Sequence, residues 1–293
     1  MGTFPEHIWV LIKELLIDNN AIIRNIAIKY QPSSQYNWLK GEVKPLTVIP
    51  FTNENIQTHE ILYNTTNTNT ILQYNNKMCY EFAINSLDNI DKIELNLGGQ
   101  TFGIMYPKIF KVFNYLFNIP EKKENGYFII PFWFSKMGIP FCEYHNLFIH
   151  IRYNPGYNQS ILQYKTRNIN ALSKNDSYVL HTIGTPLLYK QNGRLCFNHP
   201  TSNIIIKTKL KEIIIVINKN EKLYLKSNKT IGDYNIFPIS RSLKDYELMV
   251  NFSMIDMAVI NGDFEEDFEE EVIQVHIQGC RFIGGMGGLM YAN

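Results

Sequence analysis

"IELNLGGQTF", residues 93–102, is the stretch that decides what kind of chain this is. Ile93, Leu95 and Leu97 fall on one face of an extended backbone and Glu94 and Asn96 on the other, the period of two expected of a strand covered on one side. Gly98 and Gly99 follow, at a point where a Cβ would obstruct a tight turn. The reading is therefore a half-covered strand that runs into a sharp reversal.

The same grammar repeats in both directions. "LTVIPF", "TILQY", "GYFIIPFWF", "NLFIHIRY", "YVLHTI", "NIIIKTKL", "EIIIVI", "KLYLKS", "ELMVNFSMIDMAVI" and "EVIQVHIQGCRFI" are short runs rich in Ile, Val, Tyr and Phe. Asn, Gly, Pro and Asp bound them, the punctuation of turns. Many short strands with few helices predict an all-β chain of sandwiches or barrels. "EIIIVI" (212–217) is apolar throughout and predicts a strand buried on both faces. "PKIFKVFNYLF" places Ile109, Phe110, Phe113, Leu116 and Phe117 at helical spacing, which predicts a short amphipathic helix. Near the start, "PEHIWVLIKELL" and "NAIIRNIAIKYQ" also read as helical. Pro155 and Gly156, in the polar stretch "RYNPGYNQS", mark the expected boundary between a domain over 1–155 and another over 156–293.

Composition narrows the classes of function. With 293 residues, 45% of them hydrophobic, the chain has material for one large β domain or two ordinary ones. Its 28 basic and 27 acidic residues nearly cancel, so no global field draws it to nucleic acid or to an anionic membrane, and any such binding must be local. Cys79, Cys142, Cys196 and Cys280 stand far apart with no metal-ligand spacing, a pattern that suits isolated thiols in a reducing compartment. The opening apolar stretch lacks a basic segment before it and a small-residue cleavage site after it, and no run is long enough to span a membrane. Asn is so abundant that the N-x-[ST] sequons at Asn64, Asn158, Asn175, Asn228 and Asn251 carry little weight as glycosylation sites.

Three stretches together resemble the major capsid proteins of nucleocytoplasmic large DNA viruses. In that family an "E-x-GGQ" strand leads, after a helix, to a "PFWF" strand, a "G-x-A-L-P" turn and a "YHEV" strand. Here "IELNLGGQTF" leads to "YFIIPFWFSKMGIPFCEYHNLFIHI". "NFSMIDMAVI" is similar to the family's "NFSRIDN", and "FIGGMGGLMYAN" (282–293) is similar to its closing "MSGMGGLAYSN". The resemblance covers both halves of the chain. It implies a double jelly roll, two eight-stranded antiparallel sandwiches, that trimerises into a pseudo-hexagonal block, meets other viral proteins, and resides in the virion or in the cytoplasm of the infected host cell. Two departures qualify the likeness. The chain is shorter than typical members, which implies trimmed loops and a reduced or paralogous capsid protein, and the family's N-terminal "GNP-x-x-T-x-F" segment is missing.

Within that frame, Gly284, Gly285, Gly287 and Gly288 let the last segment approach other backbone, and Met286, Leu289, Met290 and Tyr291 offer apolar anchors, so the segment reads as a structural clasp. No helix and no Lys-Ser/Thr pair follows these glycines, as a phosphate-binding loop would need. Trp133, between Phe132 and Phe134, reads as core.

Catalysis has little support, and the chain is expected not to be an enzyme and to carry no cofactor or metal. His7, His59, His145, His150, His181, His199 and His276 sit in no catalytic motif. Cys142 and His145, three apart on an expected strand, would face opposite ways. Two surfaces stand out as interaction candidates. Lys207, Lys209 and Lys211 alternate in "IKTKLKE", followed by Lys219, Lys222, Lys226 and Lys229, with Tyr224 available for stacking; such a strip either contacts phosphates or keeps an edge soluble. The acidic "NGDFEEDFEEEV" (261–272), including Glu265, Glu266, Asp267 and Phe268, is either a solvated loop or a docking site for a basic partner or a cation. The competing reading is a capsid-derived fold recruited as a non-structural binding module for RNA, an mRNA cap or another viral protein.

Overall fold

The computed structural model describes residues 56–64, 70–72, 77–132, 139–140, 144–168, 175–184, 186–190, 193–239, 249–261, 269–283 and 286–289. The helices expected within residues 1–50, and Trp133, Phe134, Cys142, Met290 and Tyr291, lie outside these residues. So do Glu265, Glu266, Asp267 and Phe268.

Five strands come first: β1 (Ile56–Asn64), β2 (Thr70–Leu72), β3 (Lys77–Ile84), β4 (Ile90–Leu97) and β5 (Gln100–Met105). Helix α1 (Phe110–Phe117) follows, then β6 (Phe128–Ile129), β7 (Ile139–Pro140), β8 (Leu147–Tyr153) and β9 (Gln159–Asn168). Their order in space is β1-β9-β3-β6, with β7 also on β3, in one sheet and β2-β8-β4-β5 in the other. All pairings are antiparallel, and one set of them is nested: β4 with β5, β3 with β6 and β7, β2 with β8, β1 with β9. The chain thus runs out and back as one long hairpin whose successive rungs alternate between the two sheets.

The alternation expected for residues 93–97 is present, with Ile93, Leu95 and Leu97 fully buried. Leu147, Ile149 and Ile151 of β8 point the same way beside them. From the other sheet come Phe82, Leu162 and Tyr164, and the Phe82 ring stacks 5.8 Å from Tyr164 and meets Phe132 edge-on at 6.0 Å. The Tyr63 hydroxyl of β1 accepts the Ile151 amide of β8 at 3.0 Å, joining the two layers by a buried hydrogen bond. Helix α1 is where the periodicity predicts it, with Phe110, Val112 and Phe113 as its buried apolar residues. It stops at Asn118, whose left-handed backbone (φ 51°) turns its amide back to the Asn114 and Tyr115 carbonyls.

The remaining strands are β10 (Asn175–Ile183), β11 (Leu187–Lys190), β12 (Pro200–Lys207), β13 (Glu212–Ile217), β14 (Glu221–Lys226), β15 (Lys229–Ile231), β16 (Tyr234–Pro238), β17 (Val250–Asn251), β18 (Ala258–Asn261), β19 (Glu269–Ile283) and β20 (Met286–Leu289). One sheet is ordered β10-β19-β12-β16-β15, with β11 and β20 on β19 and β17 on β12; a smaller one is ordered β14-β13-β18. Among the described residues the chain falls into two compact units, one of residues up to 183 with 278–283 and 286–289, the other of 184–277.

The expected boundary at 155/156 falls elsewhere in this architecture. Pro155 and Gly156 make the turn from β8 to β9, and β9 pairs with β1 and β3, so the turn lies inside the first unit. In an all-β chain a Pro-Gly turn serves an ordinary strand reversal as readily as a domain linker. "EIIIVI" differs from expectation too. Ile213, Ile215 and Ile217 are buried, but Ile214 and Val216 are half-exposed, because β13 is the middle strand of a sheet with one face on the core. That core, in the second unit, gathers Ile204, Ile206, Leu223, Leu225, Phe237 and Phe252 around β13.

Candidate functional site

The turn after β4 is held in a conformation few residues adopt. Gly98 and Gly99 have φ of 58° and 81°, and Leu97 pairs with Gln100 across them, a two-residue hairpin with both central residues in the left-handed region. Gly98 is needed for a second reason. A Cβ built on it would lie 2.7 Å from Nδ1 of His145, closer than real atoms approach. The missing side chain makes room for an imidazole.

His145 uses that room to reach β20. Its Nδ1 lies 2.7 Å from the Gly287 carbonyl oxygen and 3.2 Å from the Gly287 amide nitrogen, 142 residues away in sequence. A protonated Nδ1 donates to the carbonyl; a bare one accepts the amide. Next to it the Gln100 Oε1 accepts the Leu289 amide at 2.6 Å. On its other side β20 pairs with β19, Gly287 opposite Phe282 and Leu289 opposite Cys280. Side chains therefore take the place of a further strand, meeting backbone groups that an edge strand leaves open. Beneath the junction the Phe102 and Phe282 rings pack 6.2 Å apart.

This is the clasp that the glycine-rich ending suggests, but it is fastened differently. Met286 is 51% exposed and does not anchor it; Gln100 and His145 do. "GGQ", "YH" and "GMGGL" stand far apart in the sequence, and folding brings them into one constellation.

The lysines divide into different environments. β12 ends at Lys207, so Lys209 and Lys211 project from the bend that follows, just past the buried Thr208. Lys211 donates through Nζ to Thr230 and, at 3.0 Å, to the Asn235 Oδ1. Asn235 is fully buried and is a hub: its Oδ1 also accepts from Thr230 (2.6 Å) and Ser227 (3.2 Å), and its Nδ2 donates to the Thr208 and Leu210 carbonyls at 2.7 and 2.8 Å. The Ser227 amide donates to the Lys211 carbonyl at 2.7 Å. The 208–211 bend and the turn leading into β15 are thereby locked side by side.

Of the acidic stretch the structure describes the part carried into β19. Glu270 has its carboxyl pushed above the usual range by burial, with Lys207 opposing that shift. Burial, reinforced by the neighbouring Glu271, drives the Tyr234 phenol upward, and its hydroxyl donates to Glu271 at 3.3 Å. Among the described residues no group of three or more His, Cys, Asp or Glu side chains is placed to hold a metal ion, and no helix is long and apolar enough to cross a membrane.

Sheets of antiparallel strands, a wrapped hairpin and a clasped β20 define the class: an antiparallel β-sandwich protein. The solved structures it is similar to include a chain of the PBCV-1 virus capsid quasi-atomic model, with a TM-score of 0.58 and 12% identity over 85% of this chain and 100% of that chain. PBCV-1 VP54, in the crystal structure fitted into a cryo-EM reconstruction of the virophage Sputnik, matches with a TM-score of 0.54 and 12% identity over the same shares. At that identity the likeness is one of fold. No protein-family model matches the chain, and no curated protein matches it.

Proposed function

We propose that this protein is a viral structural protein, a reduced or paralogous relative of the major capsid proteins, built as a double jelly roll and assembling as a homotrimer in the virion of a large DNA virus. The nested pairing of β1–β9 carries the reading. A hairpin folded so that its rungs alternate between two sheets is the order of a jelly roll. In the second unit two pairs, β12 with β16 and β13 with β14, are nested in the same way and lie in different sheets, which supports extending the reading there. The likeness to PBCV-1 capsid chains supports the same assignment. On this reading the function is shape and interface, not a reaction, and the clasp keeps the last strand from pairing with other chains.

Light scattering coupled to size exclusion tests it. A trimer gives a mass near three times 34.2 kDa, unchanged on dilution. A stable monomer at every concentration would remove the capsomer assignment while leaving the fold intact.

A further inference from the structure

Folding concentrates positive charge where the sequence spreads it. Residues 207–212 and 226–233 are brought together by the Ser227–Lys211 backbone bond and the Asn235 hub, and they carry five lysines against two carboxylates, Glu212 and Asp233. Lys207 faces Glu270; Lys209, Lys211, Lys226 and Lys229 make up the cationic group of this end. Lys226 is paired with Glu212 at 3.1 Å, but both side chains are about seven-tenths exposed, so water screens the pair and a phosphate can compete for the ammonium. Two residues before Lys226, on the same outer face of β14, Tyr224 is 37% exposed. Leu223 and Leu225 hold the opposite face in the core and so fix the direction of the ring.

We propose that this end of the second unit, formed by Lys209, Lys211, Lys226 and Lys229 with Tyr224, binds single-stranded nucleic acid. The ammonium groups follow the phosphates, and the tyrosine face takes a base. Lysines alone would accept any polyanion; an exposed aromatic ring set beside them on a rigid strand is what single strands use and acidic peptides do not need. Lys211 has a fixed place in the group because the buried hub holds its ammonium, so its charge comes without the loss of side-chain freedom that a loose lysine incurs on binding. The proposal is independent of the capsid reading and holds for a monomer or a trimer.

The test is fluorescence anisotropy of a labelled single-stranded oligonucleotide, in RNA and DNA arms, on the full chain between about 50 and 200 mM salt. Lys209→Glu and Lys229→Glu are the charge variants, since Lys211 is also structural; thermal melting confirms that each folds. Reversing both lysines is expected to weaken binding at least about tenfold and to lower the salt slope by about one per lysine. Tyr224→Ala is expected to cost about tenfold in affinity with the slope unchanged. Binding unaffected by the lysine reversals, or polyglutamate competing as well as the oligonucleotide, would overturn the proposal. So would a Tyr224→Ala variant that binds like the parent.

Discussion

A single missing methyl group decides whether the clasp closes. Gly98 and Gly99 both have positive φ, yet a Cβ on Gly99 meets nothing within 4 Å, whereas one on Gly98 enters the His145 ring. The pair separates backbone strain from displacement of a neighbour. Gly99→Ala is expected to cost about 1–2 kcal/mol, the penalty of a left-handed alanine. Gly98→Ala adds the expulsion of His145 and is expected to cost about 2–4 kcal/mol. Urea unfolding measures both costs. Hydrogen exchange tells them apart, since only Gly98→Ala should release the Gly287 and Leu289 amides. Equal costs and equal protection would mean that His145 does not hold β20. The sequence shows both glycines and the histidine, but not their meeting. A contact across 142 residues leaves no local pattern, and the glycine's second role appears only when the imidazole is in place.

At the level of elements, periodicity is a good guide wherever burial alone sets it. The alternation of β4 and the apolar face of α1 follow from it directly, and the half-exposed side of β13 fails only because isoleucine and valine also favour strands when exposed. Irregular elements are the ones it misses. In β3 the register shifts between Tyr80 and Ala83, and Glu81 sits there at φ 50° with its carboxylate 2.8 Å from the Lys165 ammonium and 3.1 Å from that of Lys123. Such a bulge is costly for a side chain with a Cβ, and the two ion pairs offset the cost. Glu81→Gln keeps the strained backbone and loses the charge, so it is expected to lose about 1 kcal/mol, less at high salt because the lysines are partly exposed. Glu81→Gly loses the same pairs but relieves the strain, and is expected to lie within about 0.5 kcal/mol of the parent. Urea titrations at low and high salt compare them. A glycine variant less stable than the glutamine variant would show that the bulge stores no strain.

Across the whole molecule, what the sequence withholds is nesting. Each strand is legible, but which of the short runs pairs with which is set by a hairpin that closes from Leu97–Gln100 outward to Asn64–Gln159, and family-like motifs supply that order only by resemblance. Burial in the resulting layers leaves a signature common to both units. Tyr63, Tyr153 and Cys79 in one, and Tyr189 and Tyr234 in the other, all have their pKa raised, in each case chiefly by burial. The folded chain resists their ionisation, while the unfolded chain ionises its thiol near pH 8.5 and its phenols near pH 10. A raised acid of this kind contributes stability that is complete below the unfolded pKa and is lost as pH rises toward the folded one. Stability is therefore expected to be level near neutrality, to decline from about pH 8.5, and to fall more steeply above about pH 10, by at most about 1.4 kcal/mol per pH unit for each group involved. Urea unfolding at stepped pH follows the decline. Cys79→Ala should remove its early part, and Tyr189→Phe with Tyr234→Phe should flatten the later part in the second unit while leaving the first unchanged. If all these variants kept the parent's profile, the alkaline loss would have to come from general charge repulsion and not from these buried acids.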